Sequence, residues 1–202
     1  RLPGYAKPGH AETGWDGNSE RFQEGAGADS EREDWLRLPV VSAGAEYLTM
    51  GYLMRRNILT YKAPPNNEGY DLICIHPDSR HKLNNGELAQ VRVQVKSRYA
   101  TDSNMGFPLK EASLDAFDFL IVAFLNIGKF YGNHVGLDGE SDPVFYTLPN
   151  EFVRKHHSKS SSWQKVLLKK LKDEIEQYKN DKGFEQIAQA LGIYKPVKLK
   201  KK

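Results

Sequence analysis

The sequence predicts an α/β fold in which a central mixed sheet of four to five strands is flanked by helices and followed by a C-terminal helical extension. Three observations lead to this prediction. Apolar residues recur at helical spacing in the first well-patterned segment, from Ala45 to Leu53. The middle of the chain then holds short segments that alternate in polarity or are apolar throughout, and both patterns are typical of strands. Helical spacing returns after about residue 149, so one sheet lies between helical segments.

The helix before the sheet is predicted to begin at Ser42, which can cap it, and to end at about Arg56. Leu88 to Arg98 is the clearest strand, because its valines point to one face and its polar residues to the other. Phe117 to Leu125 is apolar on both faces, as in a central strand. The remaining predicted strands are Ile58 to Ala63, Gly69 to Ile75 and Val144 to Thr147, and the later helices are Pro149 to His156, Ser162 to Lys179 and Phe184 to Leu191.

Composition divides the chain into three regions. Residues 1–34 are rich in Gly, Glu, Asp and Ser without periodicity, which predicts a flexible N-terminal arm. Residues 35–158 form the predicted α/β core, and residues 159–202 the basic helical extension. Residues 151–202 contain 14 Lys and Arg against 6 Asp and Glu. This charge suits a polyanion partner such as nucleic acid, and it equally suits a solvated, lysine-rich helix.

Two classes of protein are excluded by simple counts. No apolar stretch approaches the roughly 18 residues that a membrane-spanning helix needs, so no membrane partner is expected. The single cysteine, Cys74, rules out an internal disulfide and a cysteine-based zinc site. Cys74 lies in an apolar run and is predicted to be buried. We expect a reducing, cytoplasmic setting.

Three polar side chains have the spacing that phosphodiester hydrolysis requires. Gln94 and Lys96 must share one face of their predicted strand, because strand side chains alternate. Asp71 lies on the preceding predicted strand, and the turn signal Asn84-Asn85-Gly86 allows the two strands to form a hairpin. In a suitable register, the Asp71 carboxylate and the Gln94 amide oxygen would ligate one divalent ion, and Lys96 would lie over the attacking water.

The segments Gly69-Tyr70-Asp71-Leu72-Ile73 and Val93-Gln94-Val95-Lys96-Ser97 resemble the motif of the PD-(D/E)xK nuclease superfamily, which includes restriction, repair, junction-resolving and homing endonucleases. The resemblance extends from about Ser42 to Pro149 and includes Glu46, an acidic residue in the leading helix. It implies a restriction-endonuclease-like core and an endonuclease activity that depends on Mg²⁺, for which Mn²⁺ can substitute.

The resemblance also implies the roles of the site residues. Glu46, Asp71 and Gln94 would hold the metal or its waters, and Lys96 would orient or deprotonate the nucleophilic water. This chain differs from the motif at two positions: Tyr70 replaces the proline, and Gln94 replaces the acidic residue. Since an amide oxygen brings no charge, metal affinity would depend more strongly on Asp71 and Glu46.

The substrate that this resemblance implies is DNA, either duplex or branched, and a homodimer is compatible with it. Phosphate contacts give affinity without sequence choice. The cations that we expect to contact the phosphate backbone are Arg55, Arg56, Lys62, Arg98, Arg154, Lys155 and Lys159.

Two other interpretations of the same residues stay open. The chain is an inactive nucleic-acid-binding or interaction module of this fold if Gln94 has abolished catalysis. Alternatively, it is an unrelated α/β protein whose strand pattern imitates the motif. His76 and His81 flank Asp78, but their spacing fits no structural zinc site, and a solvated loop is the better prediction.

Overall fold

The computed structural model describes residues 39–65, 67–98, 107–127, 141–158, 165–166 and 171–193 of the 202-residue chain. The predicted arm, residues 1–34, lies outside these ranges, as does Lys159. Within them, no helix combines the length and the apolarity needed to cross a bilayer.

A helix opens the described part of the chain, a run of strands follows it, and helices with two short strands among them come last. Helix α1 begins at Pro39, earlier than predicted, because proline suits the first turn of a helix, where its missing N–H costs nothing. The elements in order are α1 (Pro39–Met54), β1 (Leu59–Lys62), β2 (Leu72–Ile75), β3 (Val91–Arg98), β4 (Phe107–Pro108), β5 (Phe119–Phe124), β6 (Val144–Pro149), α2 (Asn150–His156), β7 (His157–Ser158), β8 (Lys165–Val166), α3 (Lys172–Ile175) and α4 (Asn180–Ala190).

Five strands form one mixed sheet in the order β1-β2-β3-β5-β6. The pairs β1–β2, β2–β3 and β5–β6 are antiparallel, and the central pair β3–β5 is parallel. All six residues of β5 are buried, as expected for a central strand. The prediction of an α/β fold with a mixed four- to five-stranded sheet flanked by helices is confirmed.

Each face of this sheet has its own apolar core. Helices α1 and α4 cover one face, where Phe184 and Ile187 of α4 are fully buried together with Val91 and Val93 of β3. The opposite face is covered by β4, α2 and residues 171–178. Helix α4 therefore shares a core with α1 and the sheet.

The C-terminal region differs from the prediction in two ways. A continuous helix from Ser162 to Lys179 was predicted, but Lys165–Val166 is a strand that pairs with both β4 and β7. Phe107, opposite Val166 in β4, is buried, so strand pairing next to the core prevails over the helical pattern. The described helical part is α3, followed by a 3₁₀ turn over Glu176–Tyr178.

Two glycines determine how the last helix packs. A Cβ on Gly183 would lie 2.1 Å from the carbonyl oxygen of Tyr178, so only glycine allows this close approach. Gly192 has a φ of +74° and ends α4, as predicted. A Cβ there would lie 2.5 Å from the Cδ of Glu87. Glu87 belongs to the long β2–β3 loop, so this loop packs against the end of α4. In the same place, the N–H of Leu88 donates to the carbonyl of Ala190 at 2.7 Å.

Candidate active site

Asp71 and Gln94 are in contact across the β2–β3 hairpin. Leu72 is paired with Val93, and the N–H of Asp71 donates to the carbonyl of Val93 at 2.8 Å, so Asp71 lies opposite Gln94. The Gln94 amide Nε2 donates to Asp71 Oδ2 at 3.2 Å. The hairpin therefore brings together the two residues that the sequence placed on neighbouring strands.

The Asp71 carboxylate has a second partner that the sequence did not indicate. The backbone N–H of Val95 donates to Asp71 Oδ2 at 2.7 Å. Strand N–H groups point along the plane of the sheet towards the neighbouring strand. The carboxylate therefore takes the place of a main-chain carbonyl where β2 begins, and it lies close to the plane of the sheet at that end. One oxygen of Asp71, Oδ2, is thus engaged by two donors.

Lys96 shares a face with Gln94. In the parallel register, Gln94 is beside Leu120 and Lys96 is beside Val122, and both of these apolar residues belong to the core opposite α1. Gln94 is buried, whereas Lys96 is partly exposed. Among the described residues, none forms a hydrogen bond or ion pair with the Lys96 ammonium. The ammonium is therefore available beside the Asp71–Gln94 pair, two residues along the same strand.

Glu46 lies on the other side of the sheet and is paired with a cation. It belongs to α1, and its carboxylate forms an ion pair with the ammonium of Lys62 on β1. Lys62 is opposite Leu72, which belongs to the core beneath α1. Within the described ranges, Glu46 contacts Lys62 and makes no hydrogen bond to Asp71 or Gln94. The structure thus brings Asp71 and Gln94 together and leaves Glu46 with Lys62.

The predicted DNA-contacting cations mostly have partners within the chain. Arg55 is exposed near the end of α1, and Lys159 lies outside the described residues. The guanidinium of Arg98 lies 5.0 Å from the ring centre of Phe107. The others form ion pairs, namely Arg56 with Asp181, Lys62 with Glu46, Arg154 with Asp115 and Lys155 with Glu174. The pairs of Arg154 and Lys155 are exposed, and those of Arg56 and Lys62 are partly exposed. Ion pairs with access to solvent contribute about 1 kcal/mol or less, so phosphate groups can displace the carboxylates.

A cavity of about 1020 Å³, not anticipated from the sequence, lies between the end of α1, the start of β6 and α4. Tyr52, Phe145 and Phe184 line it, with the rings of Tyr52 and Phe145 4.8 Å apart. The Arg56 guanidinium lies 4.7 Å from the Phe184 ring centre, and burial lowers the pKa of Arg56. Asp71, Gln94 and Lys96 are not among the lining residues, so this cavity is separate from the candidate site.

The residues at the sheet end are compatible with a divalent cation of the Mg²⁺ type. Asp71 and Gln94 offer carboxylate and amide oxygens, the donor types that Mg²⁺ prefers. Nowhere in the described part of the chain do three or more His, Cys, Asp or Glu residues converge on one point. The further carboxylate that the sequence resemblance offers for such an ion is that of Glu46, which is paired with Lys62.

No protein-family model matches the sequence, and no curated protein matches it significantly. Two solved structures are similar to the chain. One is a bacterial homing endonuclease, I-Ssp6803I, at 15% identity over 57% of this chain and 71% of that one, with a TM-score of 0.35. The other is Hjc, a Holliday junction resolvase from Archaeoglobus fulgidus, at 9% identity over 77% of this chain and 99% of that one, with a TM-score of 0.37. Since both TM-scores are below 0.5, neither likeness assigns a function to this chain.

Proposed function

We propose that this chain is a metal-dependent endonuclease of the PD-(D/E)xK type that hydrolyses phosphodiester bonds in DNA. The observation that supports this function is the contact between Asp71 and Gln94 across the hairpin. The Lys96 ammonium lies on the same face as Gln94 and has no partner among the described residues. These are the residues at which the sequence resembles the nuclease motif.

Each residue of the site has a chemical role in this proposal. Asp71, Gln94 and Glu46 would hold Mg²⁺ or Mn²⁺, which supplies Lewis-acid stabilisation and lowers the pKa of a bound water. Asp71 is kept in place by the Val95 N–H, so its free oxygen needs little reorganisation to act as a ligand. Lys96 orients the attacking water and stabilises the negative charge that develops on the phosphate.

The proposed substrate is DNA, duplex or branched, and the partner in a homodimer would be a second copy of the chain. Arg55 is exposed at the end of α1, and the paired cations Arg56, Lys62, Arg154 and Lys155 can exchange a carboxylate for a phosphate. Phosphate binding of this kind becomes weaker as the salt concentration rises.

Cleavage of plasmid and branched DNA in the presence of Mg²⁺ or Mn²⁺ tests the proposal. We expect the wild-type protein to cut, EDTA to abolish cutting, and Lys96→Ala to slow it by about 100-fold or more. Lys82→Ala removes an exposed lysine from the β2–β3 loop and serves as the matched control. Equal cutting by the wild type and Lys96→Ala would refute the catalytic role of Lys96.

One feature favours a second function, that of an inactive DNA-binding module. Gln94 brings no charge, and Glu46 is neutralised by Lys62, so Asp71 is the single carboxylate at the site without a cationic partner among the described residues. Gel-shift measurements on the same DNAs separate the two functions. Salt-sensitive binding without metal-dependent cutting would support the inactive module.

A further inference from the structure

The ion pair between Glu46 and Lys62 lies on the α1 face of the sheet, at the strand position next to Asp71. The N–H of Ala63, the residue after Lys62, donates to the main-chain carbonyl of Asp71 at 2.8 Å. Lys62 itself is opposite Leu72, the residue after Asp71. Paired residues on adjacent antiparallel strands have Cα atoms about 5 Å apart. The pair is therefore held at the end of the sheet where the Asp71 carboxylate lies.

The Asp71 side chain is partly exposed where β2 begins. Its carboxylate lies near the sheet plane, because it accepts the in-plane N–H of Val95. Gln94 lies on the face opposite α1, and the Glu46–Lys62 pair lies on the α1 face. A cation at Asp71 and Glu46 would thus occupy the same side as the Lys62 ammonium.

We propose that Lys62 competes with the divalent cation for Glu46, and that metal binding transfers the Lys62 ammonium from Glu46 to the DNA phosphates. This inference rests on the proposed function, since it takes Glu46 as a metal ligand. Lys62 is then a positioning residue that sets the metal affinity of the site. Lys62 also couples metal binding to DNA binding. Metal binding at Glu46 releases the Lys62 ammonium for a DNA phosphate, and phosphate binding by Lys62 releases Glu46 for the metal. Each ligand therefore strengthens the binding of the other.

The exposure of the pair sets the size of the effect. The Glu46 side chain is 19% exposed and the Lys62 side chain 35%. An ion pair of this kind contributes up to about 1 kcal/mol, which corresponds to about a five-fold change in affinity. The Lys62 ammonium also lies 5.5 Å from the ring centre of Tyr47, which holds the amine near α1 when no metal is bound.

Mn²⁺ binding to the full chain, measured by electron paramagnetic resonance of the free ion, tests this inference without relying on activity. We expect Lys62→Met to bind Mn²⁺ about two- to five-fold more tightly than the wild type. Lys62→Arg keeps the charge and should bind as the wild type does. In a Glu46→Gln background, Lys62→Met should have no effect, because the contested carboxylate is gone.

Arg80→Gln is the matched control for charge. Arg80 also forms an ion pair with an aspartate, Asp78, but in the loop at the far end of the hairpin, so its removal should leave Mn²⁺ affinity unchanged. A Lys62→Met effect that persists in the Glu46→Gln background would be a general charge effect and would overturn the inference. So would unchanged or weaker binding by Lys62→Met.

An Asp71→Asn variant distinguishes failure of this inference from failure of the proposed function. If Asp71→Asn keeps the circular dichroism spectrum of the wild type and weakens Mn²⁺ binding while Lys62→Met does not tighten it, the inference about Lys62 is wrong and the metal site stands. If Asp71→Asn binds Mn²⁺ as the wild type does, or the wild type binds none, the metal site is wrong and the inference falls with it.

Discussion

Replacing Phe184 by alanine should destabilise the whole described sheet, although Phe184 lies in the last helix of the chain. Its ring has no exposed surface and packs in the same core as α1 and β3. The ring centres of Phe184 and Phe145 are 5.4 Å apart, and the Arg56 guanidinium lies 4.7 Å from the Phe184 ring centre. The substitution removes all of these contacts at once.

The expected loss is about 4 kcal/mol. Replacing a buried phenylalanine by alanine costs roughly 3–5 kcal/mol, through lost burial and the cavity that remains. The cation–π contact with Arg56 contributes about 0.5–1 kcal/mol within that range. Gln189→Ala, an exposed change on the same helix, is the control and should alter stability by less than about 0.5 kcal/mol.

Cys74 provides an internal reporter for this experiment. It is the only cysteine of the chain, and its side chain is fully buried in β2 beneath α1. Burial raises the pKa of the thiol to about 12, so a thiol reagent reacts only when the sheet opens. If α4 and the sheet unfold together, a loss of about 4 kcal/mol accelerates Cys74 labelling by about 1000-fold.

Urea unfolding followed by circular dichroism should report the same loss as the labelling rate. If Phe184→Ala lowers the stability of helical structure but leaves Cys74 labelling unchanged, α4 unfolds independently of the sheet. That result would refute the claim that the last helix belongs to the main core.

Three further predictions concern single contacts. Asp71→Asn should lower the free energy of unfolding in urea by about 1–3 kcal/mol, because the charged carboxylate that accepts from the Val95 N–H is lost. An unchanged free energy of unfolding would contradict this prediction. Gly192→Ala should destabilise the protein more than Gly86→Ala. Both glycines have a positive φ, but only a Cβ at Gly192 would meet another residue, Glu87. Equal losses of stability would contradict the close approach of Glu87 to Gly192. Burial raises the pKa of the Cys74 thiol from 9 to about 12 in the folded state. The protonated thiol therefore contributes its full stabilisation below pH 9, and this contribution is lost as the pH rises towards 12. Between pH 9 and pH 12, the urea concentration at the unfolding midpoint should fall less for Cys74→Ala than for the wild type.

The sequence predicted the sheet well where a strong local pattern coincides with burial. The alternation of Val91 to Lys96 and the apolar run in β5 correspond to observed strands, because side-chain period and burial are local properties. The strand order was not predictable in the same way. The parallel pairing of β3 with β5 depends on a long connection, and local periodicity carries no information about it.

The predicted helix over Ser162 to Lys179 failed for a related reason. Its apolar spacing suits a helix, yet Val166 is paired with both Phe107 and His157 in a small three-stranded sheet. The backbone partners of Val166 are distant in sequence, so spacing alone could not reveal them. Likewise, the ion pair between Glu46 of α1 and Lys62 of β1 forms only in the folded chain. The motif does not include Lys62, so its sequence could not predict this pair.

The position of Asp71 determines which variant can test catalysis. Its carboxylate replaces a missing strand partner for Val95 and accepts from Gln94, so any substitution there disturbs the hairpin as well as a metal ligand. The Lys96 ammonium has no partner among the described residues, and its removal should leave the fold intact. Loss of cutting in Asp71→Asn is therefore compatible with a purely structural role for Asp71. Loss of cutting in Lys96→Ala, with unchanged stability and DNA binding, is compatible only with chemistry at this site.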